Sequence, residues 1–237
     1  MISIYIPSLR KDDSYERARA SIEKHTTVPY RITNAAVGSR SCAGNNNVGI
    51  RACADGEYIA QLNDDCAVVT NGWLAKMVET MQLSPDIALV GPKVVMFDGT
   101  IFSAGVSPKL RGLCLGEKDY GQREFVEEVT ALTGACYLYR RSALSDLRFE
   151  SKRVRQGGYT RLKDLYDYPY FDEKYVLGSA FSDTDLCLRL RKRGWRIFYD
   201  GRVKVIHHKQ QTQGRWYSWN HIYFHAKHPG TIIGQWL

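Results

Sequence analysis

Three short runs of carboxylates, amides and imidazoles hold the residue types from which a reaction centre could be built. Asn63-Asp64-Asp65 follows the apolar run EYIAQL, Ser182-Asp183-Thr184-Asp185 opens an amphipathic stretch, and His207-His208 closes VKVI. Two adjacent aspartates raise each other's pKa unless a cation lies between them. Mg²⁺ and Mn²⁺ take oxygen ligands and are commonly held by one or two carboxylates together with substrate phosphates. The first run therefore reads as a phosphate-bound metal site, with a solvated Asn-Asp turn as the competing reading. In the second run an aspartate can act as general base toward an incoming hydroxyl. The same Ser and Asp residues are also preferred caps of a helix N-terminus, where acids complement the dipole. Of His207 and His208 only one faces a given side of a strand. That one is either a further metal ligand or a surface histidine.

These runs matter only if the chain brings them together, and its hydrophobic pattern supplies a frame. ISIYIP reads as a strand closed by Pro7. From Ser14 to His25, Ala18 and Ile22 recur at helical spacing behind the capping candidates Asp12, Asp13 and Ser14. YRITNAAV reads as a second strand, GSRSCAGNNN as a loop, VGIRACA as a helix and EYIAQL as a buried third strand. This β-α-β-α-β order predicts parallel strands with helices on both faces. Ligands of such sheets lie beyond the carboxyl ends of the strands, which is where Asn63, Asp64 and Asp65 stand.

Further along, NGWLAKMVETMQ reads as a helix capped by Asn71, IALVGPKVVMF as one or two strands, and VTALTGACYLY as another. A short helix starts near Arg141. SDTDLCLRLRKRG is a helix stopped by glycine, RIFYD and VKVIH are strands, and the tail from Arg215 to Lys227 is helical. Residues 148–170 are basic and aromatic without periodicity and read as a loop or lid. The fold expected is a single α/β domain with a mostly parallel central sheet flanked by helices.

The length of 237 residues suits one large domain, and 44% hydrophobic with 24% charged residues excludes disordered and fibrous classes. A net charge of +8 favours an anionic partner: a nucleotide phosphate, a nucleic acid or an acidic membrane surface. Cys42, Cys53, Cys66, Cys114, Cys136 and Cys187 lack metal-site spacing and read as free thiols in a reducing, cytoplasmic compartment. The apolar start is too short for a signal peptide, and no run approaches the ~18–20 residues of a membrane span. A soluble protein is expected, whose basic surface is suited to peripheral contact with anionic membrane. Trp216, Tyr217 and Trp219 offer flat faces to a sugar or a nucleic acid.

In their order along the chain these features resemble glycosyltransferase family 2, the inverting enzymes with the GT-A fold. The resemblance rests on ISIYIPS, on NNNVGIRACADGEYIAQLNDDC with its Asn-x-Gly helix and D-x-D-type motif, and on GWL, VGPKVV, DGTIFSAGV and TGACYLYRRSAL. It continues through FDEKY and SDTDLCLRLRKRGWRIFYDGRVKVIHH. YFHAKHPG resembles a rhamnosyltransferase-like subgroup. The resemblance implies a Rossmann-like GT-A domain with residues 1–97 as the nucleotide-sugar donor half and 98–237 as the acceptor half, in which 148–170 is a lid insertion.

By the same resemblance, Asp65 and His207 hold Mn²⁺ or Mg²⁺, Asp183 is the base and Asp185 a supporting acid. Ile6, Pro7, Asn34, Asn47, Asn63, Asp64 and Arg189 would contact the donor, and Trp216, Trp219 and Tyr168 would lie on the acceptor side. Three positions depart from the family pattern: Asn63 replaces an aspartate, Ser182 replaces a glutamate, and Asn34 is the nearest counterpart of an acidic strand end. The implied partners are a nucleotide-sugar donor and a glycan or lipid-linked acceptor, with no nucleic acid. Two readings compete with an active transferase of hexosyl or deoxyhexosyl groups. One is an inactive nucleotide-sugar-binding homologue. The other is a nucleotidyltransferase, which SLRKDD, lacking glycine, does not favour.

Overall fold

The computed structural model describes residues 1–8, 11–33, 41–53, 55–148, 153–156, 159–162, 170–175, 181–208 and 217–231, the hairpin 153–162 by its backbone alone. The chain opens with β1 (Ile2–Tyr5), α1 (Asp13–His25), β2 (Tyr30–Thr33), α2 (Cys42–Ala52) and β3 (Tyr58–Leu62). It continues through β4 (Cys66–Val68), α3 (Trp73–Gln82), β5 (Ile87–Met96), β6 (Ile101–Ser103), β7 (Val126–Glu128), β8 (Cys136–Arg140) and α4 (Arg141–Arg148). The rest is β9 (Arg153–Gln156), β10 (Tyr159–Leu162), α5 (Ser182–Lys192), β11 (Arg196–His207) and α6 (Tyr217–Lys227).

The main sheet runs β2-β1-β3-β8-β5-β11-β4, with β6 on β5 and β7 on β11. β2, β1, β3, β5 and β11 all point one way, so their carboxyl ends share an edge. β8 is inserted antiparallel between β3 and β5, which brings the residues just before it to that same edge. The sheet is thus mixed with a parallel majority, and α/β with helices on its faces, as expected. One face is covered by α1 through Tyr15, Ala18 and Ile22 and by α3 through Trp73, Leu74, Met77 and Met81. The other packs α2, α4, α5 and α6, with Ile50, Leu144, Leu186, Leu190 and Phe224 among its buried residues.

Several local expectations are corrected. CAGNNN is not a loop but the first two turns of α2, capped by Ser41, whose Oγ accepts the Gly44 N–H at 3.0 Å. Asparagine is a poor helix former, yet Asn45, Asn46 and Asn47 are all buried and hydrogen-bonded. Tertiary bonds therefore override propensity. Gly72, left-handed at φ 68°, rather than Asn71 precedes α3, and it makes no side-chain cap. RIFYD and VKVIH form one strand with a register shift between Asp200 and Lys204. Within 148–170 the described part is the antiparallel hairpin β9–β10 rather than an unstructured loop; the remaining residues 149–152, 157, 158 and 163–169 lie outside the described residues.

β1 and α2 touch at Gly49, where an added Cβ would lie 2.2 Å from the Tyr5 ring. Alanine gains at most about 1 kcal/mol in helix propensity, while overpacking costs about 1–3 kcal/mol. Gly49→Ala should therefore lower unfolding stability by about 1–2 kcal/mol, read from urea denaturation; a stabilised variant would show that α2 shifts freely.

Candidate active site

The shared strand edge gathers the runs singled out in the sequence. Beyond β3 the chain turns through Asn63–Asp65 and re-enters the sheet as β4, on the far side of β11. The Asn63 N–H donates to Ala135 O at 2.9 Å and the His208 N–H to Asp65 O at 2.8 Å, so the turn is tied to the start of β8 and to the end of β11. This sets the Asp65 carboxylate 3.7 Å from His207 Nε2. Asp65, Cys66 and His207 offer ligand atoms within 4.8 Å of one another.

These residues fit a divalent cation. His207 is buried and stacks on Phe102, and its Nδ1 has no hydrogen-bond partner among the described residues. An imidazole so placed keeps a coordinating nitrogen pointed at a carboxylate, the nitrogen–oxygen set that Mn²⁺ accepts. Cys66 is the weakest of the three, since burial and the neighbouring Asp65 charge push its thiol far up and keep it protonated, whereas metals bind thiolate. Asp64 points to the segment that follows β1, accepting the Ser8 hydroxyl at 2.6 Å.

Asp183 stands in the first turn of α5. The expectation that Ser182 or Asp183 caps this helix is corrected: the cap position is Phe181, left-handed and without a side-chain bond. Asp183 is instead seated across the edge by the Gly134 N–H at 2.9 Å and by the Thr184 N–H at 2.8 Å. Burial raises its pKa, and those amide bonds only partly offset the rise. A partly buried carboxylate whose pKa is raised is a stronger base than an ordinary aspartate and is suited to take a proton.

Asp185 is wholly buried and is a support rather than a group open to substrate. It accepts from Arg189 Nε at 2.8 Å and from Lys227 Nζ at 2.8 Å, and lies 2.8 Å from His228 Nε2. Burial would raise its carboxyl, but the His228 bond and the Arg189 and Lys227 charges outweigh that and hold it well below the usual range. Lys227 also donates to Asp172 at 2.6 Å, and Tyr223 Oη to the same carboxylate at 2.8 Å. Helix α6 is thereby latched to α5 and to the FDEKY segment.

The remaining sequence candidates divide. Arg189 is buried, with its guanidinium on Asp185 and the Tyr170 carbonyl, inside the network that joins α5 to the FDEKY segment. Asn47 is likewise committed: Nδ2 donates to Phe171 O and Glu173 Oε1, each at 2.9 Å, and Oδ1 accepts the Phe171 N–H at 2.8 Å. It clamps α2 to FDEKY. The Ile6 side chain is core, and Pro7 is buried at the end of β1. Trp219 is exposed on α6, while Asn34, Tyr168 and Trp216 lie outside the described residues.

Sequence reasoning missed Gln61, Ser8, Lys227 and His228. Gln61 had a visible signal, as a polar side chain in an otherwise apolar buried strand; Ser8 lies in ISIYIPS and Lys227 and His228 in YFHAKHPG, runs that carried the resemblance without pointing to these contacts. The six cysteines are unpaired in the structure, and no helix among the described residues is long and apolar enough to cross a membrane.

Comparison with known proteins follows the same lines. The family model for glycosyltransferase-like family 2 matches residues 3–219. The O-antigen biosynthesis protein RfbC of Myxococcus xanthus is 29% identical over 170 residues, 68% of this chain and 12% of its own length. The pre-mycofactocin glycosyltransferase of Mycobacterium tuberculosis is 29% identical over 182 residues, 75% of this chain and 32% of its own. The chain thus spans less than a third of the length of the curated relatives it matches. Among solved structures, that of GalNAc-T7 with UDP, GalNAc and Mn²⁺ aligns at a TM-score of 0.59 and 12% identity, over 90% of this chain and 44% of that one. A protein from STIV aligns at 0.52 and 13% identity, over 88% and 86%.

Proposed function

The chain belongs to glycosyltransferase-like family 2, and from that premise we propose that it moves a hexosyl or deoxyhexosyl group from a nucleoside-diphosphate sugar to an acceptor hydroxyl with inversion. The observation that carries this reading is the seating of Asp183 on the Gly134 amide, along the same strand edge at which Asp65 and His207 converge. A base and a cation site at one sheet edge suit an in-line displacement at an anomeric carbon.

A divalent cation held by Asp65 and His207 would neutralise charge on the departing diphosphate as a Lewis acid. Asp183 takes the proton of the acceptor hydroxyl as that oxygen attacks from the face opposite the diphosphate. Asp185, fixed by Arg189, Lys227 and His228, holds the first turn of α5 so that Asp183 keeps its aim. Residues 1–97 then form the donor half and 98–237 the acceptor half, with 148–170 and the exposed Trp219 on the acceptor's approach. The name of the Myxococcus relative supports a glycan or lipid-linked acceptor.

Nucleotide binding tests the cation site directly. A nucleoside diphosphate should bind at least tenfold more tightly with Mn²⁺ than with chelator, because the carboxylates otherwise repel phosphate. Asp65→Ala should abolish that difference, and Asn63→Asp should keep or enlarge it. Equal affinity with Mn²⁺ and with chelator, measured by calorimetry on the wild-type chain, would rule out the proposed cation role.

A further inference from the structure

Gln61 lies in the middle of β3, is fully buried, and spends every hydrogen bond its amide can make. Its Oε1 accepts from the hydroxyls of Tyr5, at 3.1 Å, and of Tyr139. Its Nε2 donates to Gly134 O at 2.7 Å and to Asn63 Oδ1 at 2.9 Å. The two ends of an amide look alike in shape, so orientation must be argued from partners. Tyrosine hydroxyls can donate or accept and decide nothing. The Gly134 carbonyl can only accept, so it must face the NH₂ group. The second N–H of that group then faces Asn63 and demands its oxygen. A backbone carbonyl thus fixes two side-chain amides in series, and Asn63 is left with Nδ2 outward. That nitrogen makes no hydrogen bond among the described residues, and Asn63 is only half-buried.

We infer that Gln61 is a positioning residue that turns the Asn63 amide so that its N–H groups donate to a diphosphate oxygen of the sugar donor, and that the same side chain braces the Gly134 turn on which Asp183 is seated. The inference rests on the transferase reading for the identity of the ligand and of the base. It gives the asparagine of the metal-motif triplet a task that aspartate could not do. Asn63 is a hydrogen-bond donor to the anion beside the cation site rather than another ligand of the cation. It also joins the donor and acceptor halves of the reaction through one buried residue, since Gln61 touches the Asn63 turn on one side and the Asp183 seat on the other.

The test uses Gln61→Glu and Gln61→Met in the full chain, with Asn63→Ala alone and combined with each. Glutamate keeps both tyrosine bonds but has at most one proton to give where the amide has two, so one bridge fails at any pH. Methionine removes all four bonds at similar volume, and thermal melting identifies any variant that no longer folds. With inorganic pyrophosphate and Mn²⁺ as the probe, Gln61→Glu and Asn63→Ala should each weaken binding by about three- to tenfold. The double variant should be no weaker than Asn63→Ala alone, because the two act through one contact. In amide hydrogen exchange by NMR, the Gln61 side-chain protons should be protected and those of Asn63 free. Additive losses, unchanged pyrophosphate affinity in a folded Gln61→Glu, a wild-type chain that binds no pyrophosphate, or a protected Asn63 amide would each overturn the inference. Neither readout needs sugar transfer. If no nucleotide sugar is turned over while both hold, the transferase reading fails and the positioning role of Gln61 stands.

Discussion

Replacing Asp183 by asparagine is expected to cut turnover by about 10²–10⁴-fold at saturating acceptor while donor affinity stays nearly unchanged. Asparagine keeps an oxygen for the Gly134 N–H that seats the native side chain at 2.9 Å, so the turn survives and only the basic function is lost. A variant that lowers kcat without raising donor KM has lost an interaction of the chemical step. The pH profile gives a second reading of the same group. A base must be deprotonated to work, so activity falls as pH drops through its pKa. Burial raises that pKa above the ordinary aspartate value, so the acid limb of kcat/KM should lie higher than about 3.9. In Asp183→Asn the residual rate should lose that limb. A fall of less than about tenfold in turnover, or an acid limb that persists unchanged in the variant, would place the base elsewhere.

Replacing Asp185 by asparagine is expected to cost about 3–5 kcal/mol of stability, the usual penalty for breaking a buried ion pair from one side. For a chain of this size that lowers Tm by roughly 6–20 °C. Arg189 would be left buried without its carboxylate, while Lys227 keeps Asp172. The sign with pH is fixed by the depressed pKa of Asp185. Its contribution is complete above the unfolded-state value of about 3.9 and is lost as pH falls through the lower folded-state value. Wild type and variant should therefore differ most in urea unfolding at pH 7 and converge under strong acid. A difference below about 1 kcal/mol at pH 7 would mean that the network is decorative. A smaller loss of activity should accompany the instability, because Asp183 shares the turn that Asp185 anchors.

The frame was legible in the sequence wherever periodicity was strong. The β1-α1-β2 opening, the buried β3 and the helix after Ser182 all carry patterns that only one local structure satisfies. Strand order is a different matter. Nothing in the run CYLYR says that it slides antiparallel between β3 and β5, because the side-chain period of a strand is the same in either direction. Helix α2 was hidden behind CAGNNN, whose asparagines are helical only because Ser8, Cys42 and Phe171 take their side-chain bonds. The site shows the same division. The carboxylate and histidine runs were visible as types at strand and helix ends. Two partners of Asp185 were not, since Lys227 at the end of α6 and His228 just beyond it follow by 42 and 43 residues.

The turn from β3 to β4 has a consequence for how the protein comes into being. β4 is a three-residue strand whose sole ladder among the described residues is with β11, the last strand among them. On a ribosome, Asp65 emerges long before His207 and waits for it. Long-range pairings of this kind form late, because loop closure precedes any gain from the contact. Until β11 has been made and docked, the growing polypeptide cannot bring Asp65 and His207 together, whatever the metal supply around it. If Asp65 and His207 hold a cation as proposed, the acquisition of metal affinity would report the docking of β4 on β11 and serve as a chemical clock for that folding step.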